Sequence, residues 1–90
     1  MQLQGQIKAI MPLKETATFK SIEVIITTDF DTKYPQHISC QLTQGRCDLI
    51  NGLNVGDLVS AEFNLKGKLY QKDGIDKYFN SLEIWALKKQ

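Results

Sequence analysis

The chain has 90 residues, 42% of them hydrophobic and 23% charged, and carries a net charge of +1. That describes one small core and therefore one domain, residues 1–90. It excludes a disordered acidic chain and lacks the strongly basic balance of a dedicated nucleic-acid binder. The opening MQLQGQIKAIMP has neither the basic n-region nor the apolar h-region of a signal peptide. No apolar run approaches the ~20 residues of a membrane span, so no membrane partner is expected. Cys40 and Cys47, with a single histidine in the chain, suggest neither a zinc site nor a disulfide framework. Two free thiols in a reducing cytoplasm, with no metal and no cofactor, are the expectation.

Alternation sets the first element. From Gln2 to Leu13 the residues Leu3, Gly5, Ile7, Ala9, Met11 and Leu13 share one parity, and Gln2, Gln4, Gln6 and Lys8 the other. Period two over this length predicts a half-buried strand. Gly5 inside it predicts a bend or bulge, and Pro12 ends its pairing. A polar connection, Lys14 to Thr18, leads to a second strand, Phe19 to Thr28, rich in β-branched residues. Its core parity is Ile22, Val24 and Ile26, because Ser21 and Glu23 prefer water. A turn is expected at 29–32, and Lys33-Tyr34-Pro35 leads into a third strand, Gln36 to Thr43, with Ile38, Cys40 and Leu42 inward.

The period then changes. Cys47, Ile50 and Leu53 recur at spacing three, roughly bracketed by Gly45 and Gly52, which predicts a short helix over Arg46 to Leu53. Gly56-Asp57 is a turn signal. A fourth strand runs from Leu58 to about Tyr70, with Val59, Ala61, Phe63, Leu65 and Leu69 on its core parity and Glu62, Asn64, Lys66, Lys68 and Tyr70 opposite. Asp73-Gly74 reverses the chain. A fifth strand follows from about Lys77 to Leu87, apolar on both parities: Tyr78, Leu82, Ile84 and Ala86 against Phe79, Trp85 and Leu87. A strand apolar on both faces is covered twice, and a partner subunit would supply the second cover. Phe79, Trp85 and Leu87 are therefore the expected oligomer interface.

The order β-β-β-α-β-β predicts an all-β fold with little helix: a five-stranded Greek-key OB-fold barrel with a helix between strands three and four. An SH3-like barrel competes, with less room for the helix and the long strands. Several residues in this order resemble the small bacterial OB-fold family, of largely unassigned function, that is grouped with single-stranded DNA-binding proteins. They are Gly5 in the first strand, Phe19-Lys20 opening the second, Tyr34-Pro35 before the third, Val55-Gly56-Asp57 opening the fourth, and Tyr78-Phe79-Asn80 with Trp85 in the last. The resemblance spans nearly the whole chain. It departs at Thr43, where such proteins often carry an aromatic, and at Lys88-Lys89-Gln90, where full-length members carry an acidic tail.

OB-folds bind oligonucleotides or oligosaccharides across strands two and three and the loops joining strands 1–2 and 4–5. Phosphate attraction calls for lysines and base stacking for rings. The candidates are Lys14, Phe19, Lys20, Tyr34, His37, Lys68, Tyr70, Lys72 and Lys77. Each has a plainer role: Phe19 closing the barrel, Lys66 and Lys68 solvating a strand or guarding its edge, His37 an ordinary surface residue. Glu23 in the middle of the platform opposes phosphate. No Gly-rich phosphate loop, nucleophile elbow or histidine pair is present, so an enzyme is not expected. The leading reading is an oligomeric single-stranded nucleic-acid-binding protein, a dimer or tetramer acting on DNA, with RNA open. The alternative is an OB-fold protein-interaction module without nucleic acid, and a third reading is an oligosaccharide binder.

Overall fold

The computed structural model describes residues 1–29 and 31–90. Its elements are β1 (Gln2–Ile10), β2 (Lys14–Glu15), β3 (Lys20–Thr28), β4 (Gln36–Thr43), a 3₁₀ helix (Gln44–Ile50), β5 (Leu58–Lys72) and β6 (Ile75–Lys89). The sheet runs β1-β5-β6-β4-β3-β2, and a further β1–β3 pairing closes it into a ring. Leaving out the two-residue β2, which pairs only with β3, this is the Greek-key circuit of the OB-fold. The parallel seam between β4 and β6 is a single pair, Gln41 with Glu83. The turn expected at 29–32 includes Phe30, which lies outside the described residues. Around it, Asp29 has φ 51° and its carbonyl accepts from the Thr32 amide at 3.1 Å.

β1 belongs to two neighbours in turn. Gln2–Gln6 pair with Glu62–Leu58, and Gln6–Ile10 with Thr27–Val24. At the crossover, Gly5 lies against β3 so closely that a Cβ there would fall 2.4 Å from the Thr27 carbonyl oxygen. A bulge follows between Ile7 and Ala9, with Lys8 as the extra residue. It turns Ile10, rather than Ala9, Met11 and Leu13, onto the core. Met11 and Leu13 are exposed.

The core is Ile7, Ile22, Val24, Ile26, Cys40, Leu42, Cys47, Val59, Ala61, Phe63, Ile84 and Leu87. The second and third strands bury the parities expected of them. Cys47 caps the core from the 3₁₀ helix, its Sγ donating to the Leu42 carbonyl at 3.3 Å. Strict spacing of three at 47, 50 and 53 fits the three-residue turn of a 3₁₀ helix, which is the form the chain takes.

Two expectations about the long hairpin are corrected. First, β6 carries a bulge opposite Glu62/Phe63: Ala86 pairs with Glu62 and Ile84 with Phe63, so Trp85 is the extra residue. The bulge reverses the parity of the strand, so that Ile84 and Leu87, three apart, both face inward. Leu87 is 8% exposed and belongs to the core, not to an oligomer interface. The bulge accounts for Ile84 and Leu87 lying on opposite parities, whereas Tyr78 and Phe79, before it, are both exposed. Second, β5 and β6 outrun the barrel. β1 pairs with β5 no further than Glu62, yet the hairpin continues to Lys72 and Ile75. Leu65 and Leu69, on the core parity, are therefore exposed. The radius of gyration, 14.4 Å, exceeds the roughly 12 Å of a compact chain this long because of this arm. Its tip is Asp73-Gly74, φ 54° and 76°, a two-residue turn with positive φ at both positions.

Candidate nucleic-acid interface

Cross-strand register fixes what each face of the arm presents. Residues directly opposite one another in an antiparallel pair share a face. Lys66, Lys68, Tyr70 and Lys72 lie opposite Ser81, Phe79, Lys77 and Ile75, so all eight belong to one face. Leu65, Leu69 and Gln71, opposite Leu82, Tyr78 and Asp76, form the other.

The first face bends over the barrel. Between them runs an open groove of about 820 Å³, lined by Phe19 and Gln41 from the barrel and by Lys68, Tyr70, Gln71, Lys72, Lys77, Phe79, Asn80, Ser81 and Glu83 from the arm. Within it, each ring of the arm sits across from a lysine: Phe79 opposite Lys68, and Tyr70 opposite Lys77. The two rings meet diagonally, centroids 5.2 Å apart and planes at 82°, the edge-to-face arrangement aromatic quadrupoles favour. Both remain about half exposed, so each keeps surface for a ligand. The charge of the lining is basic. Its one carboxylate, Glu83, is paired with Lys66 at 3.4 Å, leaving Lys68, Lys72 and Lys77 to set the potential.

Phe19 is held at the groove's rim by its own turn. The Thr16 amide donates to the Phe19 carbonyl at 2.7 Å, and the Phe19 amide donates to the Thr16 hydroxyl at 3.2 Å. The Gln44 carboxamide ties down the same loop through the Thr18 carbonyl, 3.2 Å away. Gln44 itself has φ 53°. The position after Thr43 thus anchors the loop that carries a ring instead of supplying one.

Five of the nine nucleic-acid candidates line this groove: Phe19, Lys68, Tyr70, Lys72 and Lys77. Lys14 and Lys20 are on β2 and at the start of β3, where Lys20 faces Glu15 across the pair; neither lines the groove. Tyr34 is 78% exposed in the connection before β4 and His37 is at the far end of β4. His37 Nδ1 is 2.8 Å from the Thr27 hydroxyl, and the ring lines a separate, smaller hollow with Gln6, Lys8, Pro35 and Val55. Phe79, expected at a subunit interface, is a ring of the groove. Its register with Lys68 was available from the hairpin turn at Asp73-Gly74. Gln41, Gln71, Asn80, Ser81 and Glu83 complete the lining without a distinct sequence signal.

Among the described residues no group of His, Cys, Asp or Glu is placed to hold a metal, and no helix is long and apolar enough to cross a membrane.

Comparison with known proteins places the fold. The mitochondrial single-stranded DNA-binding protein Rim1 of S. cerevisiae superposes with a TM-score of 0.76 at 14% identity, covering 99% of this chain and 91% of that one. The small single-stranded DNA-binding protein of Streptomyces coelicolor (TM-score 0.65, 14% identity) covers 100% and 92%. The Plasmodium falciparum SSB in complex with ssDNA (TM-score 0.65, 15% identity) also covers 100% and 92%. At such identities the likeness is one of fold. No curated protein matches the sequence. A family model described as a domain of unknown function, DUF3127, matches residues 2–88, and this OB-fold chain is therefore a member of the DUF3127 family.

Proposed function

We propose that this protein binds single-stranded nucleic acid, DNA in the first place, in the groove between the hairpin arm and the barrel. The observation that carries the reading is the alternation of rings and lysines on one face of the arm, Phe79 against Lys68 and Tyr70 against Lys77. Bases stack on rings at roughly 1–3 kcal/mol each, and lysines neutralise the backbone between them. The structural neighbours, each a single-stranded DNA-binding protein, support it. The groove offers rings and ammonium groups rather than a paired acid and base, so the protein is read as a binder in DNA metabolism and not as an enzyme. Cys40 and Cys47 are free and buried, consistent with a reducing cytoplasm.

Titration of short oligonucleotides at ~50 mM salt tests this, because screening is weak there. Micromolar protein should raise the anisotropy of a labelled strand, and Tyr70→Ala and Phe79→Ala should each weaken binding about tenfold without lowering the melting temperature. No binding under these conditions would refute the reading and leave the protein-interaction module. An RNA strand of the same sequence in the same titration separates DNA from RNA.

The reading includes self-association through the other face of the arm. Leu65, Leu69 and Tyr78 are exposed there, and Leu65 pairs with the half-buried Leu82. A two-stranded ribbon is marginal in water by itself, and a second copy laid on this face covers both ribbons at once. Of the interface first expected, Trp85 still points outward at 42% exposure. Light scattering should give a dimer or tetramer that Leu65→Glu with Leu69→Glu splits; a wild-type monomer at working concentration rules the interface out.

A further inference from the structure

Glu23 lies in a row with residues from three other strands. It is opposite Gln41 on β4, Gln41 is beside Glu83 on β6, and Glu83 is opposite Asn64 on β5. Gln41 and Glu83 line the basic groove, and Glu23, opposite Gln41, borders it without being part of the lining. The two carboxylates are not equivalent. Glu83 is neutralised by Lys66 at 3.4 Å. Glu23 has a neutral partner, the Ser39 hydroxyl, which donates to its Oε2. Its charge stays uncompensated, and its second oxygen is left to accept.

A phosphate does not settle over such a carboxylate. A strand whose backbone follows Lys68, Lys72 and Lys77 passes the row with its bases, not its phosphates, toward Glu23. An ionised carboxylate only accepts hydrogen bonds. It suits a base edge that carries an exocyclic amino group, of which the cytosine N4 amino is the established match for Glu. Thymine and uracil turn a carbonyl oxygen to the same position, which a carboxylate repels. The Gln41 carboxamide beside it brings both a donor and an acceptor, enough to serve the neighbouring ring atoms of the same edge.

From this we infer that Glu23, assisted by Gln41, is a specificity-determining residue that selects a cytosine-type, amino-bearing base over thymine or uracil at the edge of the groove beside Gln41. The inference rests on the proposed nucleic-acid binding and adds sequence preference to it. Ser39 acts as a positioning residue that holds the carboxylate.

The test compares oligo-dC with oligo-dT of equal length, at neutral pH and low salt, by fluorescence anisotropy. The two pyrimidines stack on similar areas, so their difference isolates the edge. Wild-type protein should bind oligo-dC roughly 5- to 10-fold more tightly, the lower part of the range for one base-edge contact. Glu23→Gln keeps size and shape, so its melting temperature should match the wild type. The amide presents donor and acceptor to either base, and the preference should collapse, with oligo-dC binding weakened and oligo-dT binding strengthened. Equal binding of both strands by the wild type overturns this inference alone, as does a preference that survives in Glu23→Gln. Binding of neither strand overturns the nucleic-acid reading together with it.

Discussion

Replacing Gly5 by alanine should destabilise the barrel more than any other single methyl added to this chain's glycines. The added Cβ would lie 2.4 Å from the Thr27 carbonyl oxygen, 2.9 Å from Ile26 Cγ2 and 3.0 Å from the Thr27 carbonyl carbon. Two of the three are backbone atoms, so no side-chain rotation relieves the contact. Approaches under 3.0 Å are essentially absent from real proteins, and β1 and β3 must separate by at least 0.6 Å to remove this one. Neither is free to do so. Gln6 and Ile7 are in register with Thr27 and Ile26, and Ile7 is bonded on its other side to the Gly56 amide and the Asp57 carbonyl, at 2.8 and 2.9 Å. Overpacking of this kind costs about 1–3 kcal/mol, and contact with fixed backbone argues for about 3. A domain of 90 residues loses roughly 4–8 °C per kcal/mol, so melting should fall by about 12–24 °C in thermal circular dichroism. Gly67→Ala is the control: its Cβ would meet only Asn80 Oδ1, at 3.5 Å, and the melting point should move by less than about 0.5 kcal/mol equivalent. A Gly5→Ala protein that melts with the wild type would refute the crossover geometry of β1.

Gly74→Ala forces a Cβ into φ 76°, at a cost of about 1–2 kcal/mol; amide exchange should quicken along the arm and stay slow in the barrel, and equal protection along the arm would contradict the turn. Lys68→Gln with Lys72→Gln should lower the slope of log K against log salt for a single strand by about 1.4, at about 0.7 per phosphate contact, and an unchanged slope would remove these lysines from the interface. Burial pushes the Cys40 thiol up from its ordinary 9.0 to about 11. The folded state then holds a proton that the unfolded state releases, so this contribution is complete below pH 9 and is lost as pH rises toward 11. The loss, at most roughly 3 kcal/mol, should appear as a slope in urea stability between those pH values that Cys40→Ala lacks.

Much of the fold was legible because each strand announces itself by alternation. Ile22, Val24 and Ile26 on β3 and Ile38, Cys40 and Leu42 on β4 kept their expected face, since these strands pair in unbroken register over eight residues. Alternation fails where an extra residue enters. At Lys8 and at Trp85 a bulge shifts the phase by one, and every residue beyond it changes face. A phase shift leaves a trace in sequence, since apolar residues occupy one parity before the bulge and the other after it. In β6 that trace, Leu82 and Ile84 followed by Leu87, is the same pattern a doubly covered strand produces. Only the pairing of Ile84 with Phe63 and of Ala86 with Glu62 separates the two.

The site was less legible because alternation says which residues share a face but not where a strand leaves its neighbour. Lys66, Lys68 and Tyr70 read as one stripe from sequence, and so did Val59, Ala61, Phe63, Leu65 and Leu69. What sequence could not place was Glu62, where β1 stops pairing with β5. As far as Phe63 the odd residues of β5 are core; beyond it, at Leu65 and Leu69, the same parity is exposed, and the even residues turn toward the barrel's open face. This single boundary converts an ordinary hairpin into an arm with two chemically distinct faces, one of rings and lysines and one of leucines and Tyr78. Those faces are tied together by register, because moving either strand by one residue would mix them. A copy seated on the apolar face therefore leaves both basic grooves open, and a strand long enough to reach both gains by effective concentration rather than by new contacts. Near-neutral net charge is compatible with the proposed binding, since a strand in the groove would meet the local field of Lys68, Lys72 and Lys77 and not the sum over the chain.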